Sequence, residues 1–237
     1  MRLNENTAVA TSKALLVPYR ERHVLKYHGW MQDPSIQEAT ASEPLSLQEE
    51  RENQASWRAA RDKLTFIVCA PLDDGAGEMS SARARGGDAD ERMRGDVNFF
   101  LYPAEQEDRG DGPRGEATGR WLVGEIDVMI AEREHRGRGL GREAVWAMLA
   151  YLCRHKDEML AEYQQQHDDG ARLKGVMAKI KQGNAGSRAL FDGLGFRQQG
   201  GVNYFGEVTL VMAWAAVESM VRRRQGEEEW LRETLYD

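Results

Sequence analysis

Long apolar runs are missing from this sequence: no stretch approaches the roughly 20 residues that span a bilayer, so no membrane partner is expected. The opening residues Met1-Arg2-Leu3-Asn4-Glu5-Asn6 hold no apolar signal core, which points to a cytoplasmic rather than a secreted protein. Cysteine is scarce, with 2 among 237 residues. Cys69 and Cys153 both fall in apolar periodic segments and read as reduced core residues, not as a disulfide framework. The 5 histidines are scattered, and neither cysteine stands at a zinc spacing from one, so no metal is expected. A positive surplus is lacking too. The net charge of -7 argues against a nucleic-acid surface and suits a cationic acceptor.

What is present is enough for a core: 41% of residues are hydrophobic, and the length fits one domain over residues 1–237. Polar, Gly-rich stretches at about 71–93 and 103–119, and a charged one at about 155–173, interrupt the pattern as surface insertions. Strands are expected at 14–19, 64–70, 95–102, 121–130, 176–180 and 207–212. Residues 23–31 have helical spacing, with Pro34 as the stop. Ser46-Leu47-Gln48-Glu49 is a capping box and starts a helix to about Arg61. Val145, Met148, Leu149 and Leu152 make an apolar helical stripe. Short and outer helices are expected at 187–194 and about 217–235, the Arg222-Arg223-Arg224 run being a solvated face. The class is mixed α/β with a mostly antiparallel sheet.

The segment richest in chemistry is Arg136-Gly137-Arg138-Gly139-Leu140-Gly141, between a strand and a helix that begins near Arg142. Alternating glycines leave backbone N–H groups free to converge on one object. A helix N-terminus and the charges of Arg136, Arg138 and Arg142 make the nest suitable for a pyrophosphate. A dinucleotide fingerprint, G-x-G-x-x-G, would need glycine where Arg142 stands, and a Walker loop needs a Lys-Ser or Lys-Thr that is absent.

R-x-x-G-x-G after a strand resembles the acyl-coenzyme A loop of the GNAT acetyltransferases. Asn184, Ser187, Phe191 and Leu194-Gly195-Phe196 resemble that superfamily's N-x-x-S…L-[YF]-x-x-L-G-F segment. Over residues 94–212 the resemblance implies the GNAT fold, with adjacent parallel strands at 125–130 and 176–180 splayed around pantetheine. Blocks at residues 1–7, 16–19, 27–31 and 40–47, with Gln182-Gly183-Asn184 and 207–210, are similar to the N-acetyltransferase-9-like branch, related to the ribosomal-protein alanine acetyltransferases. The function so implied is transfer of the acetyl group of acetyl-CoA to a primary amine of a protein or peptide, by direct attack in a ternary complex. Acetylation of a small amine and a catalytically weak, coenzyme-binding interaction module stand as alternatives.

Such chemistry needs a base, because a Lys amine titrates near ~10.4 and an α-amine near ~8. Glu125 and Asp127 share one face of their strand. Glu125 can take the proton through water, with Asp127 raising its pKa; or the acidic face only recognises a cationic acceptor. The resemblance makes the backbone N–H of Met129 or Ile130 the donor to the thioester oxygen, and residues 136–142 (including Leu140) the pyrophosphate loop. Asn184 either binds pantetheine or caps the next helix. Phe191 stands where many relatives carry a proton-donating tyrosine; it can pack against coenzyme A but cannot donate, leaving Tyr204 or water. Tyr27 and Trp30 read as acceptor-site or core aromatics. Neither the acceptor's identity nor the oligomeric state is legible here.

Overall fold

The computed structural model describes residues 1–72, 86–104, 120–165, 170–225 and 230–237. Strands β1 (Thr7–Thr11), β2 (Leu15–Pro18), β3 (Lys63–Cys69), β4 (Met93–Pro103), β5 (Trp121–Ile130), β6 (Arg172–Lys181), β7 (Arg197–Gln199), β8 (Glu207–Ala213) and β9 (Leu231–Leu235) form one sheet. Its order is β7-β8-β6-β5-β4-β3-β2-β1-β9. Helices α1 (Val24–Met31), α2 (Pro34–Thr40), α3 (Leu47–Ala59), α4 (Leu140–Arg154), α5 (Lys156–Gln164), α6 (Ala185–Leu194) and α7 (Trp214–Gln225) cover it. Only β5 and β6 pair in parallel; the other pairings among the described residues are antiparallel.

Period-two alternation divides the sheet into two faces. On one, Val97, Phe99, Leu122 and Ile126 pack under α4 and share a core with residues of α5, α6 and α7. Helix α4 is apolar almost all round, and its residues 147–150 are fully buried because α7 lies against it as well as the sheet. On the other face, Val17, Ile67 and Met129 meet Tyr27, Trp30 and Met31 of α1 and Ile36 of α2. Toward the middle of that face Asp127 stays half-covered, while Glu125, Asn98 and Met129 around it are buried.

Several sequence expectations change. Helix α1 ends at Met31, ahead of Pro34 as expected, and Pro34 then starts α2: Asp33 caps it and proline sits in the first turn, where no N–H is needed. The outer helix expected at about 217–235 is α7 followed by β9, which pairs with β1. Within the stretch at 155–173, α5 sends Met159 and Tyr163 into the core and β6 already begins at Arg172, while residues 166–169 lie outside the described residues. Of the loop at 71–93, residues 73–85 lie outside the described residues, but within 86–93 Asp88 and Met93 are buried while Gly86, Asp90 and Glu91 are exposed. Residues 105–119 of the second insertion are likewise outside them.

Asp88 is the centre of a buried network. It accepts hydrogen bonds from the Arg22 guanidinium and the Tyr236 hydroxyl (2.9 Å for the latter), and lies 3.0 Å from His23 Nε2. Burial raises the Asp88 carboxyl's pKa, but these donors outweigh it and hold it well below the usual carboxylate range.

Candidate active site

Parallel pairing between β5 and β6 runs from Trp121↔Arg172 to Glu125↔Met177 and then stops. Residues 126–130 of β5 and 178–181 of β6 continue as strands without pairing to each other, so the two part like the arms of a V. The backbone of β5 shows which groups face this gap. The Ala131 N–H donates to the Arg94 carbonyl at 2.8 Å, and the β4–β5 register continues unbroken from there. In an antiparallel ladder the hydrogen-bonding direction alternates residue by residue. Met129 therefore points its N–H into β4, while Val128 and Ile130 point theirs into the gap. Of the two expected donors, Ile130 is oriented for the role and Met129 is not.

At the open end of the V sits the glycine loop. Gly137 (φ 70°) and Gly139 (φ 83°) occupy the left-handed region, and Gly139 is the N-cap of α4. Gly141 serves differently: a Cβ there would lie 3.2 Å from Leu190 Cδ1 and 3.5 Å from Ile130 Cγ1. The third glycine thus lets α4 approach α6 and the end of β5. Arg136 closes the loop, donating through Nε to the Ile130 carbonyl at 2.7 Å and through its guanidinium to Ala131 O at 2.9 Å. Arg138 and Arg142 remain exposed at the loop surface, with Leu140 partly covered.

Along the odd-numbered face of β5, Glu125, Asp127 and Met129 lie opposite Phe100, Asn98 and Asp96 of β4. Glu125 is ion-paired with Lys179 of β6 at 2.8 Å. Asp127 has no such partner among the described residues. Burial, then the carboxyls of Glu125 and Asp96, push its pKa up to about 7. Asp96 is fully buried, accepting from Tyr27 Oη at 3.1 Å and Asn98 Nδ2 at 2.9 Å; burial lifts it to about 6. The Asn98 Oδ1 is buried without a donor. The site therefore lines up acceptors and lacks donors to match them, an environment that welcomes a group carrying N–H bonds.

The family of this fold is settled by comparison. Residues 13–197 match the model of the acetyltransferase (GNAT) domain. The chain belongs to the GNAT acetyltransferases. The alpha/beta-tubulin-N-acetyltransferase 9 of Homo sapiens is 37% identical over 98% of this chain and 91% of its own length. That of Drosophila melanogaster is 40% identical over 89% and 88%. An N-acetyltransferase 9-like protein of Caenorhabditis briggsae is 36% identical over 98% and 99%. Among solved structures, a ribosomal L7/L12 alpha-N-protein acetyltransferase in complex with coenzyme A superposes with a TM-score of 0.57 over 87% of this chain and 97% of its own, at 12% identity. The spermidine N-acetyltransferase of Vibrio cholerae, with coenzyme A and spermine, gives 0.57 over 87% and 98%, at 14% identity.

This GNAT acetyltransferase is thus an acyltransferase with acetyl-CoA as co-substrate, and its fold is the one the resemblance implied. Its other site residues fall out unevenly. Asn184 caps α6, accepting from Ser187 N–H at 3.1 Å through Oδ1, which leaves its amide N–H bonds for a ligand. Phe191 is only 2% exposed and packs edge-on against Phe196 with ring centroids 5.0 Å apart, so it belongs to the core and offers no surface to coenzyme A. Tyr204 is 96% exposed at the tip between β7 and β8, beyond Lys181, and has no place in the gap. Trp30 donates to Glu132 Oε1 at 2.9 Å and helps shape the core beside Met129. Lys179, Asn98 and Asp96 escaped the sequence reading. The two-residue spacing of Asp96 and Asn98 on their strand was visible; the register that sets them opposite Asp127 was not.

Proposed function

We propose that this GNAT acetyltransferase carries an acetyl group from acetyl-CoA directly to a primary amine of a protein or peptide, in a ternary complex. The observation that carries this reading is the parting of β5 from β6 beside a carboxyl, Asp127, whose pKa is poised near neutrality. The relatives named as tubulin N-acetyltransferases support a protein acceptor.

Residues 137–142 fit a pyrophosphate: their φ angles free the N–H groups at the start of α4, and Arg138 and Arg142 lie exposed beside them. The Ile130 N–H, with Val128 behind it, is aimed where a thioester oxygen would gather charge; one such preorganised donor is worth about 3 kcal/mol in the transition state. Asp127 takes over the base role first assigned to Glu125. It accepts the proton from the incoming ammonium, so that the amine nitrogen bonds to the thioester carbonyl carbon. The carbon–sulfur bond then breaks, the amide keeps the acetyl group, and the nitrogen's remaining excess proton passes through water to the departing thiolate. Glu125, tied to Lys179, keeps a negative charge beside Asp127 and sustains its raised pKa.

Thiol release from acetyl-CoA, measured with peptides bearing free or blocked α-amines, with Lys peptides and with polyamines, tests the reading. Release with free-amine peptides at least tenfold above polyamines is expected. Release with polyamines alone would make this a small-amine enzyme, and none with any amine a coenzyme-binding module.

A further inference from the structure

The fold itself places a primary amine at the proposed site, that of Lys179. This residue lies on the parted arm of β6, two residues past Met177, as Asp127 lies two past Glu125 on β5; Glu125↔Met177 is the last pair of the ladder. Carried forward at that spacing, the register sets Lys179 level with Asp127 across the gap. Its side chain bends back instead, Nζ pairing with Glu125 at 2.8 Å and resting 5.6 Å from the centre of the Tyr102 ring. Glu125 and Asp127 stand about 7 Å apart along their strand, a span that the flexible four-carbon stem of a lysine sweeps by turning its outer torsions. Nothing clamps that stem, for the Lys179 side chain is 40% exposed. Lys181, the next lysine on the same face, is held elsewhere: Glu207 at 3.1 Å and the Phe205 carbonyl at 3.0 Å keep its Nζ by the β7–β8 hairpin. Pairing with Glu125 neutralises a buried carboxylate, and the same pairing keeps a primary amine one torsional swing from the proposed base.

We infer that Lys179 is an acetylation site of the enzyme itself: with acetyl-CoA bound and no acceptor in the cleft, its Nζ takes the acetyl group within the same molecule. The inference rests on the acetyl-transfer reading of the Asp127 face and extends it. Nζ leaves Glu125 and gives one proton to Asp127. The freed electron pair bonds to the thioester carbonyl carbon, and the carbon–sulfur bond breaks with its pair leaving on sulfur. The nitrogen's remaining excess proton passes through water to the thiolate, so the products are an acetamide at Lys179 and free coenzyme A. The step is slow beside acceptor turnover. Burial lowers the Nζ pKa, but the hydrogen bond and charge of Glu125 outweigh it and hold the ammonium above lysine's ordinary value. Once acetylated, Lys179 carries no cation, and the carboxylates of Glu125 and Asp127 both face an incoming ammonium.

Peptide mass spectrometry of the whole protein, incubated with acetyl-CoA alone, reads this site by site. Acetyl should accumulate on Lys179 at least about tenfold faster than on Lys181 or the exposed Lys174, a modest demand on a positioned base. At saturating acetyl-CoA the first-order rate should not change when the protein is diluted, because donor and acceptor belong to one molecule. Asp127→Asn should bring Lys179 down to the rate of the other two lysines. A peptide whose free amine drives thiol release should slow the labelling by taking the same place. Labelling of Lys179 no faster than that of Lys181, indifferent to Asp127→Asn or to the peptide, or proportional to protein concentration overturns the inference. Thiol release with peptides in that case leaves the acetyl-transfer reading standing. Neither labelling nor thiol release with any amine overturns both.

Discussion

As the proposed base, Asp127 carries a conflict between stability and use. In the folded chain its carboxyl titrates near 7, against an ordinary 3.8, because burial and two neighbouring carboxyls disfavour the charge. The folded state therefore holds a proton that the unfolded chain releases, so stability present at low pH is lost as pH rises through 7. Asp127→Asn removes that penalty. Its melting temperature should exceed wild type's by a margin that widens from pH 6 to pH 8, read by scanning calorimetry. Turnover should fall by about 10²-fold or more, and the wild-type rise of kcat/KM near pH 7 should vanish. A margin flat with pH would mean the charge is not burdened. Glu125→Gln should act more mildly, by releasing Lys179 and lowering the pH at which activity appears. The loop glycines separate in the same manner. Gly139→Asp strains a left-handed residue by about 1–3 kcal/mol and puts an anion where phosphate should sit. Coenzyme affinity should collapse while circular dichroism stays normal. Gly141→Ala should instead lower the melting temperature, since its methyl presses on Leu190.

At the scale of elements, the segment before β4 shows what a polar sequence can hide. Residues 86–93 have no apolar period, yet Asp88 holds Arg22, His23 and Tyr236 together. Asp88→Ala leaves a buried imidazole and a buried hydroxyl without their acceptor and should cost about 2–4 kcal/mol in urea unfolding, each lost partner contributing about 1–3 kcal/mol. A loss under 0.5 kcal/mol would show the network to be idle. Legibility followed periodicity. β5 was readable end to end because its alternation and the glycine loop bound it, and the Ser46–Glu49 capping box marked the start of α3. β9 was not, since Trp230-Leu231-Arg232-Glu233-Thr234-Leu235 continues the helical spacing of α7 and its partner β1 is over 200 residues away in the sequence. β1 itself, Thr-Ala-Val-Ala-Thr, is too short and too small-residued to announce a strand. The shared face of Glu125 and Asp127 was plain from spacing. Which of them would be paired depended on Lys179, placed by a register no local pattern encodes.

For the whole molecule, the far edge of the sheet matters most. β9 covers β1 from Thr7↔Leu235 to Thr11↔Leu231, and Tyr236 follows it into the core beside Met129's neighbours. Removing residues 230–237 uncovers the β1 edge and the ring pocket together. The truncated protein should melt well below wild type and self-associate on warming, as light scattering would show. Full solubility and an unchanged melting curve would make β9 an ornament.

The network around Asp88 also sets an order of events in time. Arg22 and Tyr236 meet across 214 residues of chain, so the contact cannot form on a ribosome until Tyr236 has emerged. Closing so long a loop is slow compared with pairing β3 to β4, and the helices over the Asp127 face of the sheet wait on it. Refolding followed by pulse-labelled amide exchange should protect β4 and β5 first and the amides of α1 last. Until that final step, nascent chains would hold the glycine loop but not the finished covering of the Asp127 face.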